Sequence, residues 1–291
     1  MEFIKQHKNY LVFLAVFAIF DFFVWRAVFA NAESYETALY FLDVGQGDSQ
    51  LVNLAGGVQI MIDGGPATTR VLQELSEILP PGDTYIDLLV MTHPQLDHFG
   101  GFIDVLKKYE VGAFIGNGRK AEISAYTELE NVIAEKNIPY IVLGEGDKIR
   151  YGEHVFSVLS PNTRELASKE LNDTSLVIQF TSGNLKALYT GDIGFKGINV
   201  EKRLADEYDL SSSVLKVPHH GSKFSSSKAF VEDIKPAVAV IGVGKNSYGH
   251  PTKEAIARIM ENGTRIMRTD QNGTIKIVVS GDKLRIYAEK P

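Results

Sequence analysis

Cysteine is absent from the 291-residue chain. That excludes disulfides, iron–sulfur clusters, thiolate zinc sites and a cysteine nucleophile, so any metal must be held by nitrogen and oxygen. An excess of basic residues is missing too: 30 Lys and Arg stand against 36 Asp and Glu, a net charge of −6. A protein that coats nucleic acid through its phosphates is ordinarily basic, which disfavours that role. A nuclease stays open, because bound divalent cations reverse the local field. One Trp and five Met offer no cofactor-binding cluster. Neither low-complexity sequence nor a solenoid-length repeat nor a linker interrupts the chain after Glu36. With 44% hydrophobic residues, 26 glycines and 10 prolines, the composition is that of an ordinary globular protein.

A long apolar run is present in one place. Residues 10–30 read YLVFLAVFAIFDFFVWRAVFA and follow Lys5 and Lys8; about 20 such residues suffice to cross a bilayer. Asp21 and Arg26 interrupt the run, each costing about 2.5–3.5 kcal/mol at the membrane centre. Arg26, near one end, can reach the interface. Three readings are open: an uncleaved anchor, a signal peptide with Ala30-Asn31-Ala32 as its A-x-A cleavage site, and a helix buried in the domain. Basic residues before the run, with Glu33 and Glu36 after it, predict that the remainder lies outside the cytoplasm. It is held at the cell membrane if the segment is kept, and secreted if it is cut after Ala32. Residues 1–33 are thus a targeting segment and residues 34–291 one domain.

Within that domain, alternation predicts strands over residues 38–44, 48–54 and 58–62, then a helix over 69–79 with Val71, Leu72, Leu75, Ile78 and Leu79 on one face. A strand over 86–91, a His-bearing loop and a helix over 99–108 follow. Beyond them come a strand over 111–115, a helix over 126–136 and a strand over 140–143. The second half predicts paired strands over 148–150 and 155–159, and over 175–181 and 186–190. Strands at 214–217 and 238–241 are followed by helices over 226–233 and 253–261, the latter stopped by Asn262-Gly263. A last hairpin runs over 275–279 and 284–288 across Ser280-Gly281-Asp282. Two strand-rich halves, each with its own helices, predict an α+β sandwich of layers αββα: two mixed sheets face to face, helices outside.

The densest chemistry lies in Thr92-His93-Pro94-Gln95-Leu96-Asp97-His98, on a loop leaving an apolar strand. Two imidazoles and a carboxylate this close can converge on one or two ions, and without thiolates they suit Zn, Mn or Fe. Gly191-Asp192 puts a carboxylate just past another strand, and His219-His220-Gly221-Ser222 follows a third. His250 opens a helix. Five of the seven histidines fall in these loops, which makes the joint reading stronger than any member.

Together these motifs resemble the metallo-β-lactamase superfamily, and specifically the extracytoplasmic hydrolase domain of the DNA-uptake competence protein ComEC. The carriers are residues 41–49 (FLDVGQGDS), 62–65 (IDGG), 92–101, 172–177 (NDTSLV), 190–193 (TGDI), 216–222 (KVPHHGS), 242–246 (GVGKN) and 248–251 (YGHP). The multi-span channel of ComEC is not among them. The resemblance implies a divalent transition metal, Zn or Mn, as one or two ions. In the pattern H-x-H-x-D-H, His93, Asp97 and His98 match as metal ligands, while Gln95 stands where relatives place His or Asp. Asn172 or Asp173 falls where other members supply a further His, Asp192 matches the bridging carboxylate, and His220 is favoured over His219 as ligand. The resemblance further implies Asp97, His219 and His250 as catalytic groups, and Ser222, Lys223 and His250 as contacts to phosphate oxygens, with Ser225, Ser226 and Ser227 in the cradle. Asp48 and Asp63 fix the ligand imidazoles.

The implied reaction is metal-assisted hydrolysis of a phosphodiester, DNA included, with no nucleotide cofactor: Gly45-Gln46-Gly47 joins two strands rather than a strand and a helix. Gln95 and Asn172 also leave room for a binding protein that kept the fold and lost catalysis. A third reading, a phosphorylcholine or teichoic-acid esterase, requires an aromatic cage, for which Tyr126, Tyr208 and Phe224 are the candidates.

Overall fold

Successive strand residues point to opposite faces, and here both faces are apolar. In the computed structural model, which describes residues 7–32, 36–261, 263–280 and 283–290, Ile60 and Ile62 of Gln59–Gly64 enter one apolar cluster and Met61 another. Val238 and Val240 of Val238–Ile241 join the first cluster, Ala239 and Ile241 a third. Strands buried on both faces require a layer on each side.

Those layers come from two sheets. In chain order the first contains β1 (Ala38–Phe41), β2 (Ser49–Asn53), β3 (Gln59–Gly64), β4 (Tyr85–Val90), β5 (Glu110–Gly116) and β6 (Tyr140–Val142), completed by the hairpin of β14 (Ile275–Ser280) and β15 (Lys283–Ala288). The second contains β7 (Lys148–Tyr151), β8 (His154–Ser160), β9 (Val177–Ser182), β10 (Leu185–Tyr189), β11 (Val214–Lys216), β12 (Val238–Ile241) and β13 (Arg265–Arg268). Each is mixed: β3 to β6 and β10 to β13 pair in parallel, the other pairs antiparallel.

The first cluster fills the space between the sheets, with Phe41, Phe156, Phe180 and Tyr189 among its members. Outside the first sheet lie α2 (Arg70–Ile78), α3 (Leu96–Lys108) and α4 (Ser124–Glu135), which follow α1 (Lys8–Ala32) in the chain. Outside the second lie α6 (Val200–Glu207), α7 (Lys228–Ile234) and α8 (Lys253–Met260). One-turn helices α5 (Thr163–Leu166) and α9 (Thr269–Asn272) complete the set among the described residues. Each fully buried Leu, Ile, Val or Phe contributes about 1.5–3 kcal/mol relative to exposure. The αββα sandwich read from the sequence is the fold observed.

Three readings change. Helix α3 starts at Leu96 rather than Phe99, so Asp97 and His98 sit in its first turn. Elements α6 and β13 were not predicted; strongly charged VEKRLADE and RIMR carry too few apolar residues to show a period. The helix expected as one alternative to be buried in the domain is not: in α1, Phe13, Phe20 and Trp25 are 69%, 66% and 53% exposed. Among the described residues no helix is long and apolar enough to cross a membrane. In α1 the described side chains are Tyr10 and residues 12–26. Glu33, Asn262, Gly281 and Asp282 lie outside the described residues.

Candidate metal centre

Strands β3 and β4 of the first sheet, and β10, β11 and β12 of the second, end at the site, and parallel α/β arrangements collect function at such ends. Asp63 closes β3, the loop after β4 carries His93 and leads into α3, and Asp192 follows β10. After β11 a 3₁₀ turn, Pro218–Gly221, carries the histidine pair. Helix α3 is seated by Gly101, where a Cβ would lie 2.0 Å from the Gly64 carbonyl oxygen; its N–H donates to Gly65 O at 3.0 Å. Only glycine permits that approach, and it fixes Asp97 and His98 against the strand. His219 and His220 both have left-handed backbones, φ 51° and 52°, costing roughly 1–2 kcal/mol per residue. Strain of this kind persists where surrounding structure enforces it, and it gathers at functional sites.

Asp48, His98, Asp192 and His220 are buried and have potential ligand atoms within 4.8 Å of one another. Hydrogen bonds sort them. His98 Nδ1 is held by Asp63 Oδ2 at 2.8 Å, and His220 Nδ1 by the Gly242 carbonyl at 2.7 Å. Both Nε2 atoms therefore point the other way. They meet carboxylate oxygens there: His98 Nε2 lies 3.3 Å from Asp192 Oδ2, and His220 Nε2 lies 3.3 Å from Asp97 Oδ2 and 3.6 Å from Asp192 Oδ2. Asp48 instead faces the Nδ1 sides, at 3.9 and 3.6 Å, and pairs with the Lys216 ammonium. The Nε2 atoms of His98 and His220 thus open toward Asp192, and Asp97 joins beside His220. Both Nε2 atoms are buried without a hydrogen-bond partner, as ligand atoms awaiting an ion are. Two imidazoles and two carboxylates suit a borderline transition dication.

Charge is dense here. Burial works against charging His98, yet the Asp192 and Asp63 carboxylates outweigh it and hold the imidazole well above its ordinary range. Burial also opposes Asp97, but the adjacent His220 imidazole and the charge of His98 keep it ionised below the usual carboxylate range. Lys216, buried, donates to Gly191 O at 2.8 Å and lies 3.4 Å from Asp192 Oδ1; Asp48 and Asp192 together overcome its burial and raise it.

The neighbouring position differs. His93 Nε2 lies 3.2 Å from Gln95 Oε1, the Gln95 amide donates to Asn172 Oδ1 at 2.6 Å, and Asn172 Nδ2 lies 3.2 Å from His219 Nδ1. Asp173 is not part of this chain: its carboxylate accepts from Ser168 at 2.7 Å. His93 is driven down to about 4 by burial and by the charge of His98, so it is neutral.

A model of the metallo-beta-lactamase superfamily matches residues 42–245, most of the chain. The chain belongs to the metallo-beta-lactamase superfamily. Its similar proteins include "ComE operon protein 3" of Bacillus subtilis (strain 168), 30% identical over 267 residues, 84% of this chain and 33% of that one. "Competence protein ComA" of Neisseria gonorrhoeae is 30% identical over 260 residues, 87% and 34%. The chain thus spans about a third of the length of these curated relatives. Among solved structures, the fold protein YhfI from Bacillus subtilis superposes with a TM-score of 0.57 at 11% identity, over 83% of this chain and 100% of that one. A diphosphatase of the PhnP family gives 0.52 at 14%, over 84% and 98%. At such identities the likeness is one of fold.

In this superfamily member a cleft of about 890 Å³ lies over the centre, with Gln95, Asp97, Asn172, His219 and His250 in its wall. Of the expected catalytic groups and phosphate contacts, Asp97, His219 and His250 line it, but Ser222 and Lys223 do not. The Ser222 hydroxyl is buried and accepts from Phe224 N, and the Lys223 ammonium lies 5.0 Å from the Phe224 ring centre. Of the serines expected in a cradle, Ser226 N and Ser227 N donate to Glu201 at 2.6 and 2.8 Å, and Ser225 Oγ donates to Pro218 O. Tyr126, Tyr208 and Phe224 form no aromatic cage; Tyr126 is on the buried face of α4, Tyr208 bonds Glu145, and only Phe224 reaches the cleft. Sequence reasoning missed Lys196, which reaches the cleft wall 4.6 Å from the Phe224 ring centre, and Lys216. The signal for Lys216 was a lone cation inside the apolar strand VLK.

Proposed function

We propose that the chain is a metal-dependent phosphodiesterase held at the cell membrane by its N-terminal apolar run, acting outside the cytoplasm on phosphodiesters, DNA included. The observation that carries the reading is the pair of buried, unpartnered Nε2 atoms of His98 and His220 converging with Asp97 and Asp192 below an open cleft. When bound there, a Zn or Mn ion supplies Lewis acidity toward a phosphoryl oxygen and a nucleophilic water near neutral pH. Asp97, ionised and facing the cleft, orients the attacking water. His219 and His250 stand in the cleft wall with rings 5.5 Å apart. Burial and neighbouring imidazoles lower His250 to about 4, so it offers a neutral ring to a substrate oxygen. Lys196 adds a cation at the rim, as an anionic substrate calls for. Support for a nucleic-acid substrate comes from relatives named for competence, and support for the anchor from the apolar run and its flanking charges.

The test uses bis-p-nitrophenyl phosphate and the full chain. Turnover should fall by at least 10²-fold in an Asp97→Ala, His98→Ala variant that stays folded; turnover at the parent rate would overturn the proposal.

A further inference from the structure

We infer that this superfamily member holds one ion, not two, and that an amide chain occupies the neighbouring position. The inference deepens the hydrolase reading and rests on its metal centre. Asp192 lies against the Nε2 atoms of both His98 and His220, and Asp97 against that of His220. The other side has the imidazoles of His93 and His219 and no carboxylate of its own. Its remaining groups are neutral amides that satisfy one another, Gln95 donating to Asn172 at 2.6 Å and Asn172 reaching His219 at 3.2 Å. There His93 Nε2 faces the Gln95 amide oxygen at 3.2 Å rather than a carboxylate, whereas the Nε2 atoms of His98 and His220 face carboxylates.

Two further observations bear on a second ion. Paired ions sit about 3.5–4 Å apart, so they need bridging negative charge between them. Asp192 is placed to bridge, but its Oδ1 lies 3.4 Å from the Lys216 ammonium while Oδ2 faces His98. One oxygen is turned toward a resident cation and one is left for metal. The Asp173 carboxylate is taken by Ser168. Neutral amide oxygens are poor ligands for a transition dication beside imidazole and carboxylate sites.

The experiment strips the full chain with chelator, reloads it with Mn²⁺ or Zn²⁺, removes excess and counts ions by elemental analysis. One ion per chain is expected. His93→Ala should keep it, His98→Ala should lose it, and Gln95→His with Asn172→His should raise the count to two. The Mn²⁺-loaded parent should give the spectrum of an isolated ion in electron paramagnetic resonance. Two ions in the parent with a spin-coupled spectrum would overturn the inference, as would loss of the only ion in His93→Ala. So would no ion at all. The parent spectrum decides even if a variant fails to fold. One ion without turnover would instead refute the phosphodiesterase reading and leave this one standing.

Discussion

Asp63→Asn separates holding the metal ligand from being one. Asp63 is 1% exposed. Its Oδ1 accepts from Thr92 N at 2.8 Å, and its Oδ2 accepts from the Thr92 hydroxyl and faces His98 Nδ1, each at 2.8 Å. Its φ of 56° is left-handed, a conformation asparagine tolerates well, so the backbone survives the change. The new amide keeps one oxygen for Thr92 N and turns its N–H₂ toward the Thr92 hydroxyl and His98. The hydroxyl can rotate to accept. His98 Nδ1 must then accept as well, which places the ring proton on Nε2, the atom needed for metal. Losing a partner that orients a ligand costs about 10–100-fold in metal affinity, or about 1.4–2.8 kcal/mol. The lost charge-assisted hydrogen bond removes about 1.5–3 kcal/mol of fold stability. Competition with a fluorescent chelator reads the first quantity and urea unfolding the second. A folded Asp63→Asn protein with unchanged metal affinity would refute the tautomer argument.

Two other perturbations test parts of the fold that serve the site. Glu201 is buried, and burial lifts it to about 7 against the pull of the Ser226 and Ser227 N–H groups. A raised carboxyl contributes stability in full below its unfolded value near 4.5 and loses it as pH rises through about 7. That difference is worth about 3 kcal/mol, so unfolding free energy measured from pH 4.5 to 8 should fall more steeply in the parent than in Glu201→Gln; parallel curves would be evidence against the shift. Gly101→Ala forces a Cβ to within 2.0 Å of the Gly64 oxygen and should cost at least the 1–3 kcal/mol of an overpacked core. Because α3 carries Asp97 and His98, metal affinity should fall with stability in chelator titrations. A stable variant with parental affinity would show that the helix seat is soft.

Much of the centre was legible because its residues punctuate strands. Residues 92–98 and 217–222 each stand between an apolar strand and a helix or turn, so chemistry-bearing side chains there had to emerge at a sheet edge. The serines at 225–227 read as an anion cradle, but the Ser226 and Ser227 N–H groups go to Glu201, 25 and 26 residues earlier, in a helix whose charged sequence hid it. Lys216 was equally hidden, since a strand pattern says that a residue is buried and not what neutralises it. Its partner Asp48 comes from the other sheet, a contact only the packing of the two sheets creates. The aromatic cage failed for a similar reason: Tyr126 and Tyr208 belong to opposite helical layers.

If Asp97, His98, Asp192 and His220 form a metal centre that hydrolyses phosphodiesters, metal and turnover must rise together. The test titrates Mn²⁺ or Zn²⁺ into the stripped full chain while following bis-p-nitrophenyl phosphate hydrolysis, with bound metal counted on the same samples. The stripped protein should show no turnover, and the rate should rise with bound metal and saturate at one ion per chain. Both binding and turnover should be absent in His98→Ala. Turnover without metal, or metal bound equally well without His98, would contradict this assignment.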